Sequence, residues 1–192
     1  MIKVIAFDYA EVVAEGPMSK WFRENIHPDD ERLIAYREKV HKWDVGKTSL
    51  KEVYKSLGEI SGIAPELIWE RFYEKSLPNE EVLNLIKKLK KNYKIILFSN
   101  FIAELLRKLL DKYGITDLFD EIIISSEHGM KKPDPKFFEL LIKRAGVKKT
   151  EIIFTDDHIK NVDGANEIGI KAFQFTNAEQ LTKDLKTQGV KI

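Results

Sequence analysis

Ile2-Lys3-Val4-Ile5-Ala6-Phe7-Asp8 is a short apolar run with one polar interruption, and it ends on an acid. The same figure returns three times. Lys94-Ile95-Ile96-Leu97-Phe98 ends at Ser99-Asn100, Glu121-Ile122-Ile123-Ile124 ends at Ser125-Ser126, and Glu151-Ile152-Ile153-Phe154 ends at Thr155-Asp156-Asp157. These runs are β-branched and lack clean alternation, which is the pattern of strands buried on both faces of a parallel sheet. Lys171-Ala172-Phe173-Gln174-Phe175 is a weaker fifth run, expected nearer an edge. Helical spacing separates the runs. Val82, Leu83, Ile86 and Leu89 make one set, and Leu105, Leu106, Leu109 and Leu110 a second. Phe137, Phe138, Leu141 and Ile142 make a third, and Val162, Ala165 and Ile168 a fourth, stopped by Gly169. Strands alternating with helices of this length predict an α/β fold with a doubly wound parallel sheet. Right-handed crossovers then place all the strand C-termini on one edge.

The stretch from about Gly16 to Pro78 breaks this rhythm and holds no convincing strand. Its spacing predicts helices near Met18–Ile26, Asp29–Trp43, Ser49–Ile60 and Pro65–Ser76. Asp29 and Ser49 suit N-caps, and Pro65 suits a first helical turn. Trp21, Trp43 and Trp69, all the tryptophans of the chain, fall here. A small helical bundle inserted after the first strand is the simplest reading, dividing the chain into a core of residues 1–15 and 79–192 and an insert of residues 16–78.

A chain of 192 residues suits one domain, or one domain with an insert. Hydrophobic residues make up 43%, enough for a packed core and against intrinsic disorder. Lys and Arg number 32 against 31 for Asp and Glu, and a net charge of +1 gives no pull toward nucleic acid. The basic run Lys87-Lys88-Leu89-Lys90-Lys91 reads as a solvated helix end. No apolar run approaches the roughly 18 residues that would span a bilayer. The first residues lack the figure of a signal peptide, and Cys is absent, so the expected compartment is the cytoplasm. A monomer or a homodimer is expected.

Chemistry gathers where the strands end, because open α/β sheets bind ligands beyond those ends. The first strand delivers Asp8, the second Ser99 and Asn100, and the fourth Asp156 and Asp157, with Asn161 one helical turn on. The loop Gly129-Met130-Lys131-Lys132-Pro133-Asp134-Pro135 follows the third. Three carboxylates at one edge repel unless a cation or proton offsets them. Hard divalent cations take oxygen ligands, and Mg²⁺ combines one or two carboxylates with phosphate and water. A hydroxyl and an ammonium add donors for phosphate oxygens. Together these groups describe phosphoryl transfer through an aspartyl-phosphate.

Four motifs carry a resemblance that covers essentially the whole chain. Phe7-Asp8-x-x-x-Val12-Val13, then Phe98-Ser99-Asn100, then Gly129 through Pro135, then Phe154-Thr155-Asp156-Asp157-x-x-x-Asn161-x-x-Gly164-Ala165-Asn166 stand in order after four strands. This order resembles the haloacid dehalogenase superfamily in its phosphatase branch. It is similar to the group that contains α-D-glucose-1-phosphate phosphatase and the N-terminal phosphatase domain of soluble epoxide hydrolase. Trp43-x-x-Gly46-x-x-Ser49-x-x-Glu52 resembles a cap helix junction of that group. The resemblance implies a Rossmann-like core with a small helical cap, and Mg²⁺ as cofactor. The implied activity is hydrolysis of a small phosphorylated metabolite, a sugar phosphate among the candidates. Asp8 would be nucleophile and metal ligand, and Ala10 would bind the metal through its carbonyl. Ser99, with backbone groups near Asn100, would hold the phosphoryl group. Lys132 would neutralise phosphate charge and hold Asp8, with Lys131 as the alternative. Asp157 would be the main acidic metal ligand, and Asp156 and Asn161 would hold the metal directly or through water.

One position departs from the superfamily pattern. The usual second Asp, two residues past the nucleophile, is here Ala10, and Glu11 is the neighbouring candidate to replace it. The departure keeps open a catalytically weak or inactive phosphate- and metal-binding protein. A metal-free 2-haloacid dehalogenase is a further alternative, opposed by the acidity of Asp156-Asp157. A receiver-type signalling domain would carry paired acids after the first strand and no helical insert. His158 reads as a polar rim residue, whereas His27, His41 and His128 lack metal-ligand spacing. Gly164, Ala165 and Gly169 are expected to allow close helix-on-sheet packing.

Overall fold

The computed structural model describes residues 1–27 and 30–192. Five strands form one parallel sheet in the order β3-β2-β1-β4-β5. They are β1 (Val4–Phe7), β2 (Lys94–Ser99), β3 (Glu121–Ile124), β4 (Ile152–Asp156) and β5 (Lys171–Gln174). The fifth run lies at an edge, as its weaker pattern predicts, and β1 lies at the centre. Within β1 the alternation divides the molecule. Ile5 and Phe7 pack on one face with α5 (Glu80–Leu89), α6 (Ala103–Lys112), α10 (Ala178–Thr187) and the insert. Val4 and Ala6 pack on the other face with α8 (Pro135–Ala145) and α9 (Ile159–Glu167). All four residues of β1 are buried, so the run must be apolar on both sides. No helix among the described residues is long and apolar enough to cross a membrane.

Between β1 and α5 stand α1 (Pro17–Asn25), α2 (Glu31–Asp44), α3 (Leu50–Ser61) and α4 (Ile68–Arg71). The expected cap at Asp29 lies outside the described residues; Asp30 caps α2 by accepting from Arg32 N–H. Ser49 caps α3 in a full capping box with Glu52. The single helix expected over Pro65–Ser76 is broken instead. It runs as a 3-10 turn at Pro65–Leu67, then α4, then a second 3-10 turn at Tyr73–Lys75. Ile68, Phe72 and Tyr73 are all buried there, and adjacent residues 72 and 73 cannot share one face of a regular helix. Unwinding between them brings both rings inward.

The insert leaves and rejoins the core at one place. Ala14 bridges Pro78, Glu15 N–H donates to Leu77 C=O at 2.9 Å, and Asn79 N–H donates to Val13 C=O at 2.8 Å. It then touches the core on two flanks. On the first, Lys108 of α6 stacks over Trp69 at 3.6 Å, and Tyr113 Oη donates to Glu74 C=O. On the second, the end of α2 meets α7 (Ser125–His128). A Cβ on Gly46 would lie 2.4 Å from the Ser126 carbonyl oxygen.

Candidate active site

The three central strands end level with one another. Phe7 pairs with Leu97 on one side and Thr155 on the other, so the next residues of β1 and β4 are Asp8 and Asp156, side by side. Asp8 N–H donates to Thr155 C=O at 3.0 Å, which anchors the nucleophile candidate at the sheet edge. Carboxylate oxygens of Asp8, Asp156 and Asp157 all lie within 4.8 Å of one another.

Lys132 enters this cluster, and Lys131 does not. Lys132 Nζ donates to Asp8 Oδ1 at 2.9 Å, to Asp156 Oδ2 at 2.6 Å and to Phe98 C=O at 2.9 Å, with 1% of the residue exposed. Its ammonium sits over the rings of Phe98 and Phe154. Asn100 holds the same residue by its backbone, donating to Lys132 C=O and accepting from Lys132 N–H at 2.9 and 2.8 Å. A bare Gly164 lets α9 approach Pro133, where a Cβ would come within 2.9 Å of Pro133 Cβ. That close approach is helix on loop, not helix on sheet, and it braces the residue after Lys132. Lys131 turns to the insert and pairs with Asp44 Oδ2 at 3.0 Å.

Asp156 is fully engaged. Its Oδ1 accepts from His158 N–H at 2.8 Å, its Oδ2 accepts from Lys132, and Asn161 Nδ2 donates to both oxygens at 3.0 Å. In this arrangement Asn161 positions Asp156. Asp157 is bound less tightly, and Ala10 C=O accepts no backbone hydrogen bond among the described residues. The Ser99 hydroxyl is buried close enough to Asp8 to favour its charged form, yet it makes no hydrogen bond of normal geometry. It is an unpartnered donor within a cluster of acids.

One ammonium cannot neutralise three carboxylates, and the titration of the site reflects this. Burial raises Asp8 to about 7 against the opposing pull of Lys132, with Asp156 adding to the rise. Burial raises Asp157 to about 6, with Asp156 and Glu11 adding to it. Burial alone would depress Lys132, but Asp156 and Asp8 hold its ammonium above the ordinary value. An all-oxygen donor set with surplus negative charge fits a hard divalent cation such as Mg²⁺.

Beside the cluster lies a cavity of about 160 Å³, lined by Ala10, Asn100 and Phe101 of the core and by Tyr36, Trp43 and Asp44 of the insert. Asp44 and Tyr36 carry no local sequence signal. Each becomes a site residue only when α2 folds over the sheet edge. His158 is exposed at the rim, where the sequence places it.

The chain is similar to known proteins over most of its length. It is 28% identical over 202 residues to a D-ribitol-5-phosphate phosphatase of Bacteroides thetaiotaomicron, covering 96% of this chain and 97% of that one. It is 27% identical over 157 residues to a sesquiterpene phosphatase of Aspergillus oryzae, covering 80% of each. Its fold matches a crystal structure of a HAD family enzyme from Bacteroides thetaiotaomicron in complex with magnesium and inorganic phosphate. That match has a TM-score of 0.73 at 21% identity, over 92% of this chain and 95% of that one. A family model described as haloacid dehalogenase-like hydrolase matches residues 2–169. Acid-ended strands, a buried lysine among carboxylates and this match along the sequence agree: the chain belongs to the haloacid dehalogenase-like hydrolases.

Proposed function

We propose that the protein is a Mg²⁺-dependent phosphatase of small phosphomonoesters, working through an aspartyl-phosphate on Asp8 at a site between the core (residues 1–15 and 79–192) and a helical cap (residues 16–78). The observation that carries this reading is Asp8 at the end of the central strand, fixed by Lys132 at 2.9 Å and flanked by the unpartnered Ser99 hydroxyl. The phosphatases and the magnesium–phosphate complex among its relatives support it.

Asp8, Asp157 and the Ala10 carbonyl are the groups that would hold the metal, with Asp156 and Asn161 behind them. Bound there, Mg²⁺ would screen phosphate charge against the carboxylates. Asp8 Oδ1 accepts from both Lys132 and Tyr9 N–H, and Oδ2 carries neither bond. Oδ2 is therefore the oxygen placed to attack phosphorus. The new bond is Asp8 Oδ2–P, and the bond that breaks joins phosphorus to the leaving alcohol's oxygen. The Ser99 hydroxyl donates to a phosphoryl oxygen, and Lys132 offsets charge as it develops. Water then attacks phosphorus, releases phosphate and restores the carboxylate.

The test is release of p-nitrophenol from p-nitrophenyl phosphate. Activity is expected with Mg²⁺, is expected to stop with excess chelator, and is expected to vanish in Asp8→Asn. Undiminished hydrolysis in chelator would remove the metal from the reading, and an active Asp8→Asn would remove the covalent route. Ala10 favours one second reading, a binding protein without turnover. Phosphate-dependent thermal stabilisation in the absence of any hydrolysis would select it.

A further inference from the structure

Three polar groups on residues that line the cavity between insert and core have no hydrogen-bond partner among the described residues. Asp44 gives Oδ2 to Lys131, but its Oδ1 accepts no hydrogen bond among the described residues. Tyr36 and Tyr73 line the same cavity, and their hydroxyls likewise have no hydrogen-bond partner among the described residues. The groups lie close enough to feel one another. Burial raises the Tyr36 hydroxyl, with the Asp44 charge adding to the rise, and Tyr73 responds to burial and then to Tyr36, Tyr54 and Asp44. The remaining walls are largely apolar and include Trp43 and Phe101, and Ala10, two residues past Asp8, lines the core side.

An occupant of this space must satisfy both kinds of surface. A carboxylate oxygen only accepts, so the occupant must donate to Asp44. A tyrosine hydroxyl does both, and ring faces favour C–H groups over charge. A second anionic group would meet the Asp44 carboxylate, and a cation would compete with Lys131, which is already in place. A hydroxylated carbon chain or ring has donors, acceptors and C–H faces in one molecule. The volume of about 160 Å³ resembles the ~150 Å³ cavity known to take up benzene, which gives room for about one ring or a short chain.

We propose that Asp44, Tyr36 and Tyr73 form the subsite that reads the leaving group, and that the substrate's leaving group is a compact, uncharged polyol. This rests on the phosphatase reading above and narrows it. A pocket that hydrogen-bonds hydroxyls rejects an analogue lacking them far more strongly than an apolar pocket rejects an added hydroxyl, because such an analogue covers its polar groups and leaves them unpaired.

The experiment compares kcat/KM for xylitol 5-phosphate with n-pentyl phosphate, and for glycerol 3-phosphate with n-propyl phosphate. The wild-type protein is expected to favour each polyol ester by about 100-fold or more. Tyr36→Phe, Tyr73→Phe and Asp44→Asn should each shrink that ratio by about tenfold, mainly through KM for the polyol ester. Thermal melts accompany each variant, and the two Phe variants keep ring packing, so a folding loss in Asp44→Asn does not blur the result. Equal rates on polyol and alkyl esters by the wild-type protein would overturn the subsite while leaving the phosphatase reading intact. Variants that slow every ester by one factor and leave the ratio unchanged would overturn it too. Failure to hydrolyse any ester, p-nitrophenyl phosphate included, would sink the phosphatase reading and the subsite with it.

Discussion

In the proposed phosphatase, Ala10 stands where the family pattern has the acid that would hand a proton to the departing oxygen. Glu11 is the neighbouring acid. Its Oε1 accepts from Gly16 N–H at 3.3 Å and Arg23 Nη1 at 3.2 Å, which ties it to the root of the insert. Its φ of 59° is the one positive value outside glycine among the described residues, so this turn is held against its backbone preference. Rates should therefore depend steeply on leaving-group pKa. Ala10→Asp should flatten that dependence, raising turnover of alkyl esters by up to the roughly 10²–10⁴-fold that a positioned acid contributes. Glu11→Gln should leave the slope as it is; a series of phosphomonoesters spanning leaving-group pKa reads both. Asp8 allows a second prediction at this scale. An acid raised from 3.8 to about 7 binds its proton more tightly folded than unfolded. Its contribution then favours folding at low pH and is lost as pH climbs through that window. In chelator, Asp8→Asn should melt higher than wild type at about pH 8, and the two should converge near pH 4. A lower melting temperature for Asp8→Asn at pH 8 would contradict the crowding described here.

Among the elements, the end of α2 has the narrowest tolerance. Gly46 has φ +70° and would drive a Cβ to 2.4 Å from the Ser126 carbonyl oxygen, whereas Gly62, at the end of α3 with φ +72°, faces open space. Both substitutions to Ala incur the left-handed penalty of about 1–2 kcal/mol. Only Gly46→Ala also lifts α2 off α7, and with it Trp43 and Asp44 from the cavity. Gly62→Ala should lower the melting temperature alone, and Gly46→Ala should lower both it and kcat/KM. These two glycines also show what a sequence can tell. Both stand at helix ends, where the residue type announces a turn, and the strands announce themselves through apolar runs that must be buried on both sides. The acid-ended and hydroxyl-ended strands therefore carry Asp8, Ser99 and Asp156 to one sheet edge on the sequence alone. Nothing local distinguishes Gly46 from Gly62, or joins Asp44 to Lys131 across a separation of 87 residues. Those contacts exist only through the packing of α2 across the sheet edge. The break within Pro65–Ser76 was hidden for the same reason, since burial of Phe72 and Tyr73 overrides helix propensity.

For the molecule as a whole, the sheet and the insert meet as two bodies with unequal flanks. The flank at α6 combines a cation over a ring with carbonyl hydrogen bonds, and the flank at α7 has the Asp44–Lys131 pair and the Gly46 contact. Lys131→Met would leave Asp44 as a buried, unpaired carboxylate, a change that typically costs about 3–5 kcal/mol when the site cannot relax. Lys131→Met with Asp44→Asn should recover much of that loss in melting temperature, a coupling that two independent sites would not show. The paired backbone bonds at Glu15 and Asn79 have a wider consequence. The insert begins and ends within one hydrogen bond of itself, so to the folding chain it is a closed loop hung from a tight turn. Closing such a loop grows costlier only by about 0.6 kcal/mol for each doubling of its length. Size at this point is therefore nearly neutral for the sheet, and the junction acts as a socket into which helical sequence of very different length can be fitted. A chain in which Glu15 runs to Leu77 through a two-residue turn should still form the five-stranded sheet, with a lower melting temperature and no selectivity among esters.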